Sequence, residues 1–172
     1  MNQDIYLPLH QKQSWDEANQ SVYFLLEKYQ SHSHHIKTLA RDISDLFLKI
    51  FPILSRLCAQ TCLFCPDPCC MGAKIWFDLK DMLFLQLNRI DVPVSQPLGS
   101  LDEICRYFGP RGCRLARVER PFICTRYLCP PQMSLLRKNQ QTEQQFSTTI
   151  QLIKSKREAI ENEFIEITSK FN

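Results

Sequence analysis

The sequence predicts a mainly α-helical fold, in which helical flanks enclose an irregular, cysteine-rich middle with at most short β pieces. Two observations support this prediction. Apolar residues recur at helical spacing before about residue 60 and after about residue 134. Between residues 58 and 131 lie all nine cysteines, all four glycines and eight of the ten prolines, so regular structure is interrupted there.

The N-terminal region predicts two helices, over residues 14–30 and 34–60. In the second helix the apolar residues form one stripe at three- and four-residue steps: Ile36, Leu39, Ile43, Leu46, Phe47, Ile50, Leu54 and Leu57. Pro52 has no backbone N–H, so we expect it to kink or end this helix. Between the helices lie His32, His34 and His35. We interpret them as a solvated turn, because nothing nearby completes a set of metal ligands.

The middle region contains the segment AKIWFDLKDMLFLQL, which predicts a short extended piece followed by a helix. Asp78 is the expected N-cap of this helix, with Asp81 in its first turn. After residue 134 there is neither Gly nor Pro, and we expect a helix that covers the core. Its apolar stripe is Phe146, Ile150, Ile153, Ile160, Phe164, Ile167 and Phe171.

Length and composition are those of an ordinary globular domain. The 172 residues suffice for one domain, made of residues 1–60, 61–131 and 132–172, and the chain is 44% hydrophobic and 23% charged. A net charge of +3 gives no indication of nucleic acid or a membrane surface. No apolar run is long enough for a membrane-spanning helix. The first residues, MNQDIYLPLHQKQSW, do not form a secretory signal, so we expect a cytoplasmic protein with reduced thiols.

Cysteine is the unusual residue of this composition. The odd number argues against a disulfide framework, and the confinement of all nine to one region argues against simple core filling. The pair Cys62 and Cys65 has the two-residue gap that lets two sulfurs face one metal ion. With a vicinal pair and four later cysteines, the region predicts metal ligation by Cys62, Cys65, Cys69, Cys70, Cys105, Cys113, Cys124 and Cys129. Ligation would also order a loop-rich region, because metal-binding free energy adds to folding free energy.

Other interpretations of the cysteines fit less well. A thioredoxin-type redox pair needs a strand before its CxxC, whereas a helix is predicted here. A paired zinc ribbon needs a second CxxC, which Cys124 and Cys129 do not supply. Cys58, Cys62 and Cys65 match the CxxxCxxC of radical S-adenosylmethionine enzymes, but the chain lacks their strand–helix repeats. Cys58 continues the apolar stripe and is expected to pack in the core.

Charge limits how many thiolates one metal can take. Eight thiolates around one divalent ion would leave a large negative charge, so we expect either two metal sites or one cluster held by about four thiolates. Six arginines lie between residues 106 and 126, at positions 106, 111, 114, 117, 120 and 126. Guanidinium groups would stabilise a negative centre, and Arg114 and Arg120 are the expected cofactor-binding members. A nucleic-acid surface is disfavoured, because this strip lacks Lys and overlaps the cysteines.

Four segments together resemble the bacterial CxxCxxCC proteins, a family described as a zinc- or iron-chelating domain. They are CLFCPDPCC, IWFDLKD, CRYFGPRGCRL and RPFICTRYLC. The resemblance covers residues 62–130 and implies metal binding without an assigned reaction. It places Asp81, Gly112, Arg120 and Pro121 in the family pattern beside the cysteines. This chain departs from the pattern by one extra residue before Cys69 and by Leu115-Ala116 in place of Ile-Tyr.

The first functional hypothesis is therefore a metal-binding protein that holds an iron–sulfur cluster (4Fe–4S) or Zn²⁺. The surplus of thiols, the absence of His from the region and the Cys129-Pro130 dipeptide favour the cluster. A second hypothesis is an enzyme, either a relative of flagellin lysine methylases, which carry similar motifs, or a cluster-based redox protein. A third is an interaction module whose metal shapes a basic surface for a protein partner.

Overall fold

The computed structural model describes residues 9–63, 65–72, 74–100, 102–110 and 112–170. Within these residues the chain forms six α-helices and one two-stranded sheet, which confirms the predicted mainly α fold. The elements are α1 (Lys12–Lys28), α2 (His34–Thr61), α3 (Leu79–Leu87), β1 (Phe108–Gly109), β2 (Gly112–Cys113), α4 (Phe122–Arg126), α5 (Pro130–Leu136) and α6 (Gln140–Lys170).

The core lies between α2 and α6, which form the most extensive helix pair, and α3 packs against both. The predicted stripe of α2 is its buried face, and Ile43 and Ile50 are fully buried there against Ile153 and Ile160 of α6 in the same core cluster. Burying each such side chain contributes about 1.5–3 kcal/mol. Phe47 extends the core towards the cysteine region, since its ring lies 5.2 Å from that of Phe84 and 6.4 Å from that of Phe122.

Pro52 does not end α2, which continues through it to Thr61. A proline removes the hydrogen bond to the carbonyl four residues earlier, here that of Leu48. Both Pro52 and Leu48 face solvent, so water can hydrate that carbonyl and the helix tolerates the lost bond. Because α2 continues to Thr61, Cys58 lies in its last turn, and Cys62 follows directly after the helix.

The region after residue 132 is two helices rather than one. α5 begins at Pro130, whose fixed φ suits the first helical position, and ends at Leu136. A turn follows, and the Asn139 Oδ1 accepts a hydrogen bond of 2.9 Å from the Thr142 N–H at the start of α6. The predicted stripe of α6 is buried at Phe146, Ile153, Ile160, Phe164 and Ile167, while Phe171 lies outside the described residues.

The predicted N-cap of α3 is confirmed. The Asp81 N–H donates to the Asp78 Oδ1 (2.8 Å), and the Asp78 N–H donates to the Asp81 Oδ2 (3.1 Å), which forms a reciprocal capping box. The extended piece before α3 pairs with a side chain rather than a strand. Buried Gln96 accepts from the Phe77 N–H (2.7 Å) and donates to the Phe77 carbonyl (3.0 Å).

The small sheet is an antiparallel hairpin, in which Phe108 faces Cys113 and Gly109 faces Gly112. Gly112 has a φ of +98°, a conformation that residues with a Cβ rarely adopt, so glycine is required where the hairpin delivers Cys113. Among the described residues, none of the helices has both the length and the apolar character to cross a membrane.

Candidate metal centre

Four cysteines from four separate segments form what we call the four-thiol group: Cys70, Cys105, Cys113 and Cys124. Cys70 lies in a short 3-10 turn, Cys105 in a loop, Cys113 in β2 and Cys124 in α4. The first two segments are joined directly, because the Cys105 N–H donates to the Cys70 carbonyl over 3.1 Å. The hairpin then pairs Cys113 with Phe108, three residues after Cys105, and charge on Cys113 acts on the Cys105 thiol.

The thiols of this group influence one another electrostatically. Burial raises the pKa of Cys124, and negative charge on Cys113 and on Cys105 raises it further. Burial also raises the pKa of Cys105, with a further contribution from Cys113. The hydrogen bond with Cys69 is the largest cause that raises the pKa of Cys70, followed by burial and by the charges of Cys69, Cys105 and Cys124. In the metal-free protein Cys70, Cys105 and Cys124 therefore stay protonated at neutral pH, and a cation is needed to hold them as thiolates.

Arg114 and Arg120 provide positive charge that acts on this group, while their predicted role in binding a cofactor stays a prediction. Arg114 lowers the pKa of Cys105 and Arg120 lowers that of Cys124, each against the larger effect of burial. Backbone contacts fix both side chains, since Arg120 donates to the Leu115 carbonyl over 3.1 Å and Arg114 donates to the Arg106 carbonyl. Neither arginine forms an ion pair with a described residue, so both charges remain directed at the thiols and the solvent. Arg111 lies outside the described residues.

A buried ion pair stabilises the first residue of α4, the helix that contains Cys124. The Asp81 Oδ1 lies 2.8 Å from Arg157 Nη1 and accepts a 3.0 Å hydrogen bond from the N–H of Phe122, the first residue of α4. Burial raises the pKa of Asp81 to about 6, while Arg157 and backbone N–H groups lower it, so this carboxylate is charged at neutral pH. Cys124 itself keeps one side open to solvent.

A second set of cysteines, the three-thiol group, consists of Cys58, Cys62 and Cys69. Burial raises the pKa of Cys62 to about 11, and Cys58 and Cys69 add to the effect through their charges. The buried Gln132 amide lies against this group. Its Nε2 is 3.5 Å from the Cys58 sulfur and 3.6 Å from the Cys62 sulfur, and its Oε1 accepts from the Cys129 N–H at 3.4 Å.

The structure thus divides the predicted ligands. Cys70, Cys105, Cys113 and Cys124 affect one another electrostatically, and Cys62 is affected by Cys69 and by Cys58, which was expected only to pack in the core. The hydrogen bond between Cys69 and Cys70 links the two groups. Cys129 approaches the three-thiol group through its backbone, at the start of α5. Cys65 is half-buried, and its N–H donates to the Cys62 carbonyl (3.4 Å). Sequence reasoning missed Gln132 and Arg157, a polar and a charged residue whose roles depend on segments far away in the chain.

Within the described ranges, no three His, Cys, Asp or Glu side chains are arranged so that they could hold a metal ion. The cysteines supply sulfur donors that suit a metal, but in this structure they do not form a closed coordination sphere. Of the three histidines predicted to form a turn, His32 lies in a 3-10 turn, whereas His34 and His35 are the first residues of α2, and His35 Nδ1 contacts the Glu163 carboxylate at 2.5 Å. No family model, curated protein or solved structure matches the chain, so the resemblance to the CxxCxxCC proteins stays a prediction.

Cys69 is expected to be the most reactive thiol of the reduced, metal-free protein. A hydrogen bond from Cys70 is the largest cause that lowers its pKa, to about 6 from the usual 9.0. The thiolate is the nucleophile, so its alkylation rate should rise with pH and reach half its maximum near pH 6, against about 11 for Cys62. Iodoacetamide labelling, mapped by peptide mass spectrometry across pH, measures both profiles.

The variant Cys70→Ala removes the donor and should move the Cys69 profile to higher pH, whereas Cys65→Ala is the matched control and should not. An unchanged Cys69 profile in Cys70→Ala would contradict the assignment.

Proposed function

We propose that the protein binds a metal centre through the four-thiol group, as an iron–sulfur cluster or a zinc ion. The observation that carries this proposal is the electrostatic coupling of four cysteines from four segments, two of which are joined by the Cys105–Cys70 backbone hydrogen bond, with the charges of Arg114 and Arg120 acting on the same thiols. Four thiolates are the ligand set of a 4Fe–4S cluster and of a tetrahedral zinc site. Repulsion between thiolates, which raises their pKa values in the metal-free protein, is relieved when a cation binds.

The donor set fits such a centre chemically, although its sulfurs do not yet form a closed site. Loading therefore requires the loop and hairpin segments to close around the metal. These segments can move at low cost, because between α3 and α4 the described chain forms only a two-residue strand pair and a short 3-10 turn. A bound cluster would supply one-electron chemistry or structural order, and the arginines would stabilise its negative charge.

Anaerobic purification tests the proposal. We expect about four iron atoms and four sulfides per chain, with a broad absorption band near roughly 400 nm that dithionite bleaches. A colourless protein with about one zinc per chain would identify a zinc site instead. Well-folded protein that contains neither metal, and that takes up neither on reconstitution, would disprove the function.

We also propose a cytoplasmic location, since a reducing compartment keeps nine free thiols available for metal. The proposed role as a metal-binding protein ranks ahead of an enzyme or an interaction module. Arg117 bears on the last alternative: its Nε donates to the Ser55 hydroxyl (3.1 Å), and it forms no ion pair with a described residue. If Arg117→Ala leaves metal content unchanged but abolishes association with a protein partner, that arginine serves recognition.

A further inference from the structure

Arg157 is the most unusual residue of α6. It occupies the buried stripe between Ile153 and Ile160, and its side chain is only 3% exposed. Its two terminal nitrogens contact different carboxylates, with Nη1 2.8 Å from the Asp81 Oδ1 and Nη2 2.9 Å from the Asp78 Oδ1. Taking a guanidinium out of water is costly, and breaking such a buried pair is strongly destabilising. Arg157 is therefore a buried positive charge, held by two carboxylates, next to the first residue of α4.

The same side chain contacts α4 in two ways. The Asp81 oxygen that pairs with Arg157 also accepts from the Phe122 N–H, at 3.0 Å. The guanidinium carbon of Arg157 lies 4.7 Å from the centroid of the Phe122 ring, which is within the range of a cation–π contact. α4 has only five residues, too few to be stable as an isolated helix, so contacts at its first residue determine whether it forms.

Cys124 follows two residues after this anchored position, and its N–H donates to the Pro121 carbonyl over 2.9 Å. We propose that Arg157 is a positioning residue for the four-thiol group: through Asp81 and Phe122 it fixes α4 and holds the Cys124 sulfur beside Cys105 and Cys113. The importance of that position for metal binding rests on the proposed function. The position of Cys124 can nevertheless be measured without any metal.

The test uses two substitutions of Arg157 and one control. Arg157→Met keeps the length and apolar stem but removes both ion pairs and the cation–π contact. Arg157→Lys keeps the charge but cannot hold both carboxylates in the same geometry. Lys80→Met is the matched control: Lys80 also links α3 to α6, through Asp78 at 3.6 Å and Glu161 at 3.0 Å, but among the described residues it forms no ion pair with Asp81, the residue that holds Phe122.

In the metal-free protein, alkylation of Cys124 relative to Cys65 of the same molecule is expected to rise about tenfold in Arg157→Met, because release of α4 also frees the covered side of the Cys124 thiol. Arg157→Lys should give an intermediate rate, and Lys80→Met should stay within about twofold of wild type. An intermediate Cys124 alkylation rate in Arg157→Lys would show that the retained charge partly preserves the position of α4. A general loss of packing does not predict such a partial rescue. Equal Cys124 rates in all four proteins would overturn the proposal.

Hydrogen exchange at the Phe122 amide keeps the proposal testable if Arg157→Met fails to fold. In the wild type this amide should exchange slowly, because it donates to a buried carboxylate. It should exchange faster in Arg157→Lys but not in Lys80→Met. Exchange of the wild-type amide at the rate of an unbonded amide would overturn the proposal.

The metal-loaded protein separates this inference from the proposed function. If metal binds, Arg157→Lys is expected to weaken metal affinity about tenfold and to change the absorption spectrum of the centre. If no metal binds to any variant while Cys124 alkylation still depends on Arg157, the positioning role stands and the proposed function fails. If metal binds equally to all variants and Cys124 alkylation does not change, the function stands and the positioning role fails.

Discussion

Replacing Asp81 with alanine is expected to lower the free energy of unfolding by about 3–5 kcal/mol, the usual cost of removing one partner from a buried ion pair. Three contacts are lost together. Arg157 keeps only Asp78, the Phe122 N–H loses its acceptor, and the capping box of α3 is broken. Urea denaturation followed by far-ultraviolet circular dichroism measures the change.

Asp42→Ala is the matched control for this prediction. Asp42 also forms an ion pair with α6, through Lys156 at 2.6 Å, but its side chain is 44% exposed. Solvent screens such a pair, so its loss should cost only about 0–1 kcal/mol. Similar losses in Asp81→Ala and Asp42→Ala would show that the buried pair has no special importance.

The second large effect concerns metal content. Cys113→Ser and Cys124→Ser, made separately, are each expected to reduce bound metal to below about one tenth of the wild-type level, because a serine hydroxyl does not replace a thiolate ligand. Each serine keeps nearly the size of the cysteine, so the fold should survive. Metal analysis of anaerobically purified protein, normalised to protein concentration, gives the result.

Cys58→Ser serves as the control, since Cys58 belongs to the three-thiol group and contacts Gln132. We expect this variant to retain most of its metal. If instead Cys58→Ser and Cys62→Ser lost the metal while Cys113→Ser and Cys124→Ser kept it, the centre would have to be assigned to the three-thiol group.

Local patterns were sufficient to predict most of the fold. The stripe of α2 and the Asp78 cap depend on residues three or four positions apart, so both can be predicted from the local sequence. The continuation of α2 past Pro52 and the break at Asn139 could not be predicted from local sequence, for different reasons. The cost of Pro52 depends on whether the freed carbonyl faces water, which is a property of the packed structure. The start of α6 depends on the Asn139 side chain, which accepts a hydrogen bond from the Thr142 N–H. The sequence alone does not show this contact.

The candidate site was predictable as a region but not as an arrangement. Sequence spacing predicts that Cys62 and Cys65 act together, which stays a prediction, but it cannot show that the loop path joins Cys105 to Cys70 by a backbone hydrogen bond. Cys69 and Cys70 belong to different thiol groups, yet their side chains are hydrogen-bonded to each other, which spacing alone does not predict. The role of Arg157 could not be predicted from the sequence, because helical periodicity indicates which face is buried but not that a charged residue on that face finds a partner.

The pairing of α2 with α6 has a consequence for the order of events during synthesis. About eighty residues separate the end of one helix from the start of the other, so the contact closes a long loop and forms late. On the ribosome, every cysteine emerges before Arg157 does. We therefore expect the nascent thiols to spend several seconds without the support that fixes Cys124, at the usual elongation rate of about 5–20 residues per second. If the protein binds metal as proposed, a metal that arrives before α6 has docked meets a Cys124 that is not yet fixed in position.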